Sequence, residues 1–331
     1  MTMRKAIIKS TGVYVPEKIF PNSYFNDIYN EDVGTWLEDN LNIHERRWCA
    51  PDESVADLCQ RASEQALQRA NLNPADIDLI IIATDTPEFI SPSTAAVLQN
   101  RLGASNAGTF DLNTACAGFV TALDVACKYI IADERYNHVL IVGGYAMSKH
   151  LNIKDKKTTT LFADGAGAVI ISAANDVDNG FIGSELKTKG EYNSWMGIYS
   201  GGSHEPVDAD VLKRMDHKLK FVHKFPKELN HEMWIEMTLK MCERLKIKPN
   251  DIDQYLVTQL NINSINATMD QLGVSRDKAH KIMKYYGYTG SACIPMALDD
   301  AIENGKIKRG DLLFLIGSGG GLAFACAALT Y

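Results

Sequence analysis

The stretch Leu72–Thr84, LNPADIDLIIIAT, returns 175 residues later (72 to 247) as Ile247–Gln259, IKPNDIDQYLVTQ. Both read apolar-x-Pro-x-Asp-Ile-Asp followed by an apolar run. The same offset carries Ala122-Leu123-Asp124 onto Ala297-Leu298-Asp299 and lays Cys116 over Ser291. Slightly shorter offsets bring HVLIVGG (138–144) onto DLLFLIG (311–317), and ADGAGAVIIS (163–172) near GGGLAFACAAL (319–329). One internal repeat of this length indicates two copies of a module, because solenoid periods are roughly 20–50 residues. Runs such as LIIIA and HVLIVGG suit parallel strands covered on both faces. The sequence thus predicts an α/β protein of two duplicated halves in a layered α-β-α-β-α arrangement. The expected halves are 1–178 and 179–331, the second including a less patterned insertion at 180–230.

With 331 residues, 46% hydrophobic and 23% charged, the chain has ample material for a large core. Its net charge of −7 provides no general basic field for nucleic acid or an anionic membrane. The seven cysteines are scattered without a C-x-x-C pair, which argues against a disulfide framework or a zinc site. The amino-terminal MTMRKAIIKSTG lacks the apolar stretch of a signal peptide, and no uninterrupted apolar run reads as a membrane span. A cytoplasmic protein is expected.

AGTFDLNTACAGFVTALDVACKYII (107–131) starts like a strand and then turns helical, with Phe119, Leu123, Ala126, Cys127 and Ile130 at helix spacing. Cys116 falls at the junction. Helix N–H groups there are expected to stabilise a thiolate, and Ala115, Ala117 and Gly118 leave room for a carbonyl. A buried structural cysteine is the plain alternative.

DLNTACAGF (111–119) resembles the active-cysteine signature of ketoacyl-ACP synthase III enzymes, in the thiolase-fold superfamily. The likeness extends through TGVYVPE (11–17), IHERRWCAPDES (43–54), SPSTAA (91–96), LFADGAGAVI (161–170), GYTGSACIPMALDDA (287–301) and the closing GSGGGLAFACAAL. It implies an acyltransferase carrying an acyl group as a thioester on Cys116. The oxyanion N–H groups would come from Cys116 and Gly320.

The pattern breaks at two places. In the family a histidine and an asparagine donate hydrogen bonds to the malonyl thioester oxygen during decarboxylation. This sequence has Thr258 at the histidine position, in Val257-Thr258-Gln259-Leu260-Asn261, and Tyr288 at the asparagine position, in Gly287-Tyr288-Thr289. Losing one oxyanion donor typically costs ~2.7–4 kcal/mol in the transition state. Impaired decarboxylative condensation is therefore expected. Asp85, in ATDTPEF, follows a strand where related HMG-CoA synthases hold a glutamate acid/base, and a similar role is one reading of it. His204 reads as a surface loop residue.

The resemblance also implies that acyl-CoA, or the phosphopantetheine of an acyl carrier protein, is the substrate, with no permanently bound cofactor. Trp36 matches a tryptophan near the CoA adenine, His44 and Lys156 stand where arginines are common, and Asn261 matches a pantetheine contact. Six Lys and Arg between 213 and 227, against the single acid Asp216, form a local basic patch suited to an acidic carrier. Ser91 stands where a phenylalanine often closes the partner subunit's acyl pocket. A homodimer is expected, paired near Thr109–Leu112. The alternatives are a non-catalytic helper subunit of a heteromeric ketosynthase, and an HMG-CoA-synthase-like condensation using Asp85.

Overall fold

The computed structural model describes residues 4–175 and 177–331. The first three residues of the amino-terminal stretch read above lie outside them.

The repeated Pro-x-Asp-Ile-Asp motif explains itself in hydrogen bonds. Asp76 and Asp251 each accept the backbone N–H of the residue before their proline, Asn73 and Lys248, both at 2.7 Å, closing the 3-10 turns Pro74–Asp76 and Pro249–Asp251. Asp78 and Asp253 then fasten the start of a neighbouring strand. Asp78 accepts from Asn137 and His138, and Asp253 accepts from Leu312 at 2.8 Å. The strands that follow, Leu79–Ala83 and Gln254–Val257, are thereby set parallel to His138–Ala146 and Leu312–Gly319. The motif is a register device, made twice.

Five strands form the first sheet, in the spatial order Arg4–Tyr14, Asp164–Asn175, His138–Ala146, Leu79–Ala83 and Gly108–Leu112. Four form the second, in the order Gly180–Thr188, Ala323–Thr330, Leu312–Gly319 and Gln254–Val257. A fifth position is marked only by a parallel bridge from Tyr255 to Ala279. Gly180–Thr188 is thus an edge strand of the second sheet, which corrects the expectation of an irregular insertion beginning at 180. The insertion proper holds a small ribbon, Met196–Gly197 against Lys220–Phe221, and the short helix Ala209–Arg214.

Alternating side chains sort each sheet between two layers. From the first sheet, Ile81, Val139, Ile141 and Val169 enter a central core, while Ile80, Ile82, Leu140 and Val142 pack under the helices Val55–Ala70 and Thr94–Leu102. From the second, Leu256, Leu313 and Leu315 enter the same central core, and Tyr255, Phe314 and Phe324 face the helices Leu229–Leu245 and Ile262–Gln271. Between the sheets lie the helices Gly118–Ala132 and Cys293–Glu303. Five layers result, as expected from the sequence.

The segment Ala115–Ala132 is long and apolar enough to cross a bilayer, with mean hydropathy 1.6, yet 67% of it is buried inside the protein. It is a core helix.

Candidate active site

The carboxyl ends of adjacent parallel strands converge on one spot, where α/β sheets commonly place their ligands. Ala83 lies in register with Leu112 on one side and Gly143 on the other. Continuing from those three positions brings Asp85, Cys116 and Tyr145 to neighbouring places. From the second half, Tyr288 and Cys293 close the group, each acting electrostatically on Cys116.

Cys116 occupies the middle of the 3-10 turn Ala115–Ala117, directly before the helix Gly118–Ala132. Ser291 has the corresponding place in Gly290–Ala292, before Cys293–Glu303. Both turns need a left-handed residue. Gly290 serves in one half at φ 49°, and Ala115 serves in the other at φ 47°. A Cβ at Gly290 would lie 2.3 Å from the ring of Tyr145, so only glycine fits there. Ala115, next to the cysteine, bears the strain that glycine avoids, about 1–2 kcal/mol for an L-residue. A Cβ on Gly319 would come within 2.6 Å of the Cys116 nitrogen, which shows how closely the glycine loop approaches that N–H. Gly320 stands over Ala115 and under Met196.

The electrostatics of Cys116 reverse one expectation. Instead of being eased toward thiolate by its helix, the thiol is pushed well up, first by burial and then by the charge of Asp85. A hydrogen bond with Tyr288 and the local backbone N–H oppose this without overcoming it. Burial raises the Tyr288 phenol as well, followed by the charges of Cys116 and Cys293. Tyr288 is held rigidly. Its N–H donates to Leu161 at 3.0 Å, its carbonyl accepts from Ala163 at 2.9 Å, and its ring packs on Phe162. Below it, the buried Arg46 donates to Phe20, Asn22 and Thr160 and lies over the Phe25 ring.

Thr258 is buried, and its hydroxyl oxygen accepts the N–H of Ser318 at 2.8 Å. It bridges the ends of two strands. Asp85 is different: its Oδ1 is sealed from solvent with no hydrogen-bond partner, and burial pushes the carboxyl up to about 6. Among the described residues, no cation offsets that burial. Sequence reasoning missed Tyr145 and Cys293. The 175-residue offset, which lays Cys293 over Gly118 at the start of the central helix, held the signal for Cys293. Among the described residues no group of three or more His, Cys, Asp or Glu stands ready to hold a metal.

Four of the expected substrate residues lie along one rim. Trp36 is 56% exposed on the helix Gly34–Leu41, and the Asn40 carbonyl of that helix accepts from Asn263, in the first turn of the helix that Asn261 caps. Lys156 pairs with Glu31 at 2.5 Å, and His44 lies 3.6 Å from Glu38. Ser91 is elsewhere. With Phe89, Ile90, Phe110 and Asn113 it lines a cavity of about 430 Å³ beside the edge strand Gly108–Leu112. In the basic patch Arg214 and Lys220 are paired with Asp216, leaving Lys213, Lys224 and Lys227 exposed. His204 is exposed on its loop.

Comparison with known proteins agrees with this architecture. Residues 110–190 match the family model for 3-oxoacyl-[acyl-carrier-protein] synthase III, and residues 242–331 match the model for its C-terminal part. A beta-ketoacyl-[acyl-carrier-protein] synthase III of Caldanaerobacter subterraneus is 33% identical over 98% of this chain and 97% of its own length. This chain belongs to the 3-oxoacyl-[acyl-carrier-protein] synthase III family. The crystal structure of the synthase III from Aquifex aeolicus superposes with a TM-score of 0.87 at 30% identity, covering 98% of this chain and 100% of that one. The priming beta-ketosynthase of the R1128 polyketide pathway superposes with a TM-score of 0.87 at 26% identity, covering 99% and 96%. The protein is therefore an acyltransferase of synthase III type.

Two substitutions test the geometry. Gly290→Ala should destabilise by about 2–5 kcal/mol, combining left-handed strain with overpacking against Tyr145. Ala115→Gly should stabilise by about 0.5–1 kcal/mol. Urea midpoints measure both, and similar effects at the two positions would contradict the asymmetry.

Asp85 gives a pH-dependent prediction. Its folded-state pKa lies above the unfolded value of 3.8, so its burial is harmless below about pH 4 and costs stability as pH rises through about 6. Asp85→Asn should therefore raise the melting temperature at pH 7.5, by the equivalent of up to ~3 kcal/mol, with the gain vanishing near pH 4. Melting curves across that range check the sign.

Proposed function

We propose that this enzyme loads an acyl group from CoA or a carrier protein onto Cys116 and passes it to an acceptor without decarboxylating malonyl. One observation carries the reading: the two family positions hold the Tyr288 phenol, which favours the charged form of Cys116, and the Thr258 hydroxyl, whose oxygen accepts the N–H of Ser318. Neither hydroxyl has the reach or direction of an imidazole or an amide aimed at an enolate oxygen: threonine is too short, and tyrosine overshoots the amide's place. Loading is less affected, because its oxyanion would be served by the backbone N–H groups of Cys116 and Gly320, a reading supported by the close approach of Gly319 to the Cys116 nitrogen.

In this reading the Cys116 sulfur attacks the donor's thioester carbonyl, the bond from that carbon to the carrier's sulfur breaks, and the proton lost by Cys116 ends on the departing carrier thiol. The Tyr288 phenol favours the sulfur's charge, and the new thioester stays in the buried centre of the protein. The phosphopantetheine belongs to the substrate, and no resident cofactor is needed. Trp36, His44, Lys156 and Asn261 form the rim for it. Lys213, Lys224 and Lys227 offer an acidic carrier its contact. Ser91 leaves the cavity beside the edge strand open to a longer acyl chain. The working compartment is the cytoplasm.

A second reading is supported by the orphaned Asp85 carboxylate. It could take a proton from the α-carbon of an acceptor, giving an HMG-CoA-synthase-like condensation.

Intact-protein mass after incubation with a panel of acyl-CoAs and acyl carrier proteins should show one acyl adduct, absent in Cys116→Ala. With carboxyl-labelled malonyl thioester, the wild type should release little labelled carbon dioxide. The pair Thr258→His and Tyr288→Asn should restore measurable release, and either change alone much less, because such donors act as a unit. Release by the wild type near 1 s⁻¹ or above, within the usual enzyme range, would return the protein to ordinary condensation.

A homodimer is part of this reading, supported by the half-exposed edge strand Gly108–Leu112 and the neighbouring Phe89 and Ile90, the latter 85% exposed. An obligate interface of this kind buries about 2,000 Å² or more. Light scattering should give twice the 36.6 kDa chain mass. A monomer, or a stable species only with a second homologue, would instead favour the helper-subunit alternative.

A further inference from the structure

The acyl-Cys116 reading leaves the acceptor open, and the chemistry around Asp85 narrows it. Asp85 leaves the end of the strand Leu79–Ala83 between the strands that lead to Cys116 and Tyr145. Its charge acts on both of those side chains. Its Oδ1 is sealed and unpartnered, and among the described residues no cation offsets its burial. Asp85 as a whole is half-buried, and its one sealed oxygen without a partner carries a cost that a donor relieves, most of all a positive one. The groups gathered here, Cys116, Tyr145, Tyr288 and Cys293, are neutral acids held in protonated form by burial.

An acceptor must complement that arrangement. A malonyl thioester brings a second carboxylate beside Asp85 and meets repulsion with no cation to offset it. An alcohol brings one neutral donor. A primary ammonium brings a positive charge and three donors.

We propose that the acceptor is a primary amine, bound as its ammonium form against Asp85 and converted to an amide by acyl-Cys116. The ammonium gives one proton to Asp85 and becomes a free amine. Its nitrogen attacks the thioester carbonyl carbon, whose oxyanion is held by the N–H groups of Cys116 and Gly320. The new C–N bond forms and the C–S bond breaks. Tyr288, beside the sulfur, gives its phenolic proton to the leaving thiolate and takes the nitrogen's second proton. Asp85 releases its proton to water as the amide departs. Products and reactants balance without an oxidant or metal.

The test begins with enzyme acylated from a straight-chain acyl-CoA. Discharge of the adduct is followed by intact mass with n-butylamine, n-butanol, butanethiol or malonyl-CoA at equal concentration, and the amide is identified by mass spectrometry. Butylamine is expected to discharge the adduct at least about 100-fold faster than butanol. In Asp85→Asn, discharge by butylamine should fall by about 100-fold, within the range of general-base effects, while loading of Cys116 becomes faster because a repelling charge is gone. Hydroxylamine, uncharged at neutral pH, should still discharge the variant's adduct, which separates loss of the base from loss of the fold. Equal discharge by butanol, butanethiol or malonyl-CoA, or unchanged amine discharge in Asp85→Asn, would overturn the proposal. Loading followed by no amine discharge removes the amine alone. If no acyl-CoA or acyl carrier protein loads Cys116, the acyl-enzyme reading falls and the amine with it.

Discussion

A left-handed turn of the backbone, made once in each half, fixes where everything else must go. At Ala115 and Gly290 the chain leaves a strand-side loop and enters a buried helix through a single 3-10 turn. That geometry aims the start of both central helices at one another between the sheets. Gly319 can then approach the Cys116 nitrogen, and Tyr145 can lie against Gly290. The five-layer arrangement supports these turns from both sides, with aliphatic rows of each sheet pressing on the central helices. A strained alanine beside the cysteine persists because its surroundings leave the turn no alternative.

The electrostatic character of the site follows from its depth. Burial favours the protonated forms of its thiols and phenols and leaves Asp85 as the group nearest to titrating at neutral pH. Water is largely excluded, so a charge arriving with a substrate is felt strongly. Exposed cations stand along the rim and on the insertion, at Lys156, Lys213, Lys224 and Lys227, while the buried Arg46 is occupied by Phe20, Asn22 and Thr160. In the proposed reading, local cationic patches on an acidic protein would draw the carrier, while the groups around Asp85 would make the selection at the reacting atoms.

Much of this was readable beforehand because the chain repeats. The shared Pro-x-Asp-Ile-Asp identified the duplicated module, and its two aspartates proved to be the ties that align neighbouring strands. The small residues around Cys116 likewise reported a close backbone approach. What the sequence withheld were consequences of depth. Helix position alone predicted an eased thiol, whereas burial and Asp85 reverse the sign. Thr258 read as a misplaced donor, but only tertiary contact reveals Ser318 bonding to its oxygen. The edge strand Gly180–Thr188 escaped notice because Glu185 and Lys187 face charged partners on the helix Leu229–Leu245 and break the expected apolar alternation.

The burial of the helix Gly118–Ala132 also bears on how the chain is made. One side of it rests on strands from the first half, and the other on Leu312–Gly319 and Ala323–Thr330. Those last strands leave the ribosome nearly 200 residues after the helix (132 to 330). At ordinary synthesis rates the gap lasts roughly 10–40 s. Throughout it, an apolar helix fit to enter a bilayer has only half its cover. The apolar face of the helix thus gains its full cover only when the strands of the second half have been made.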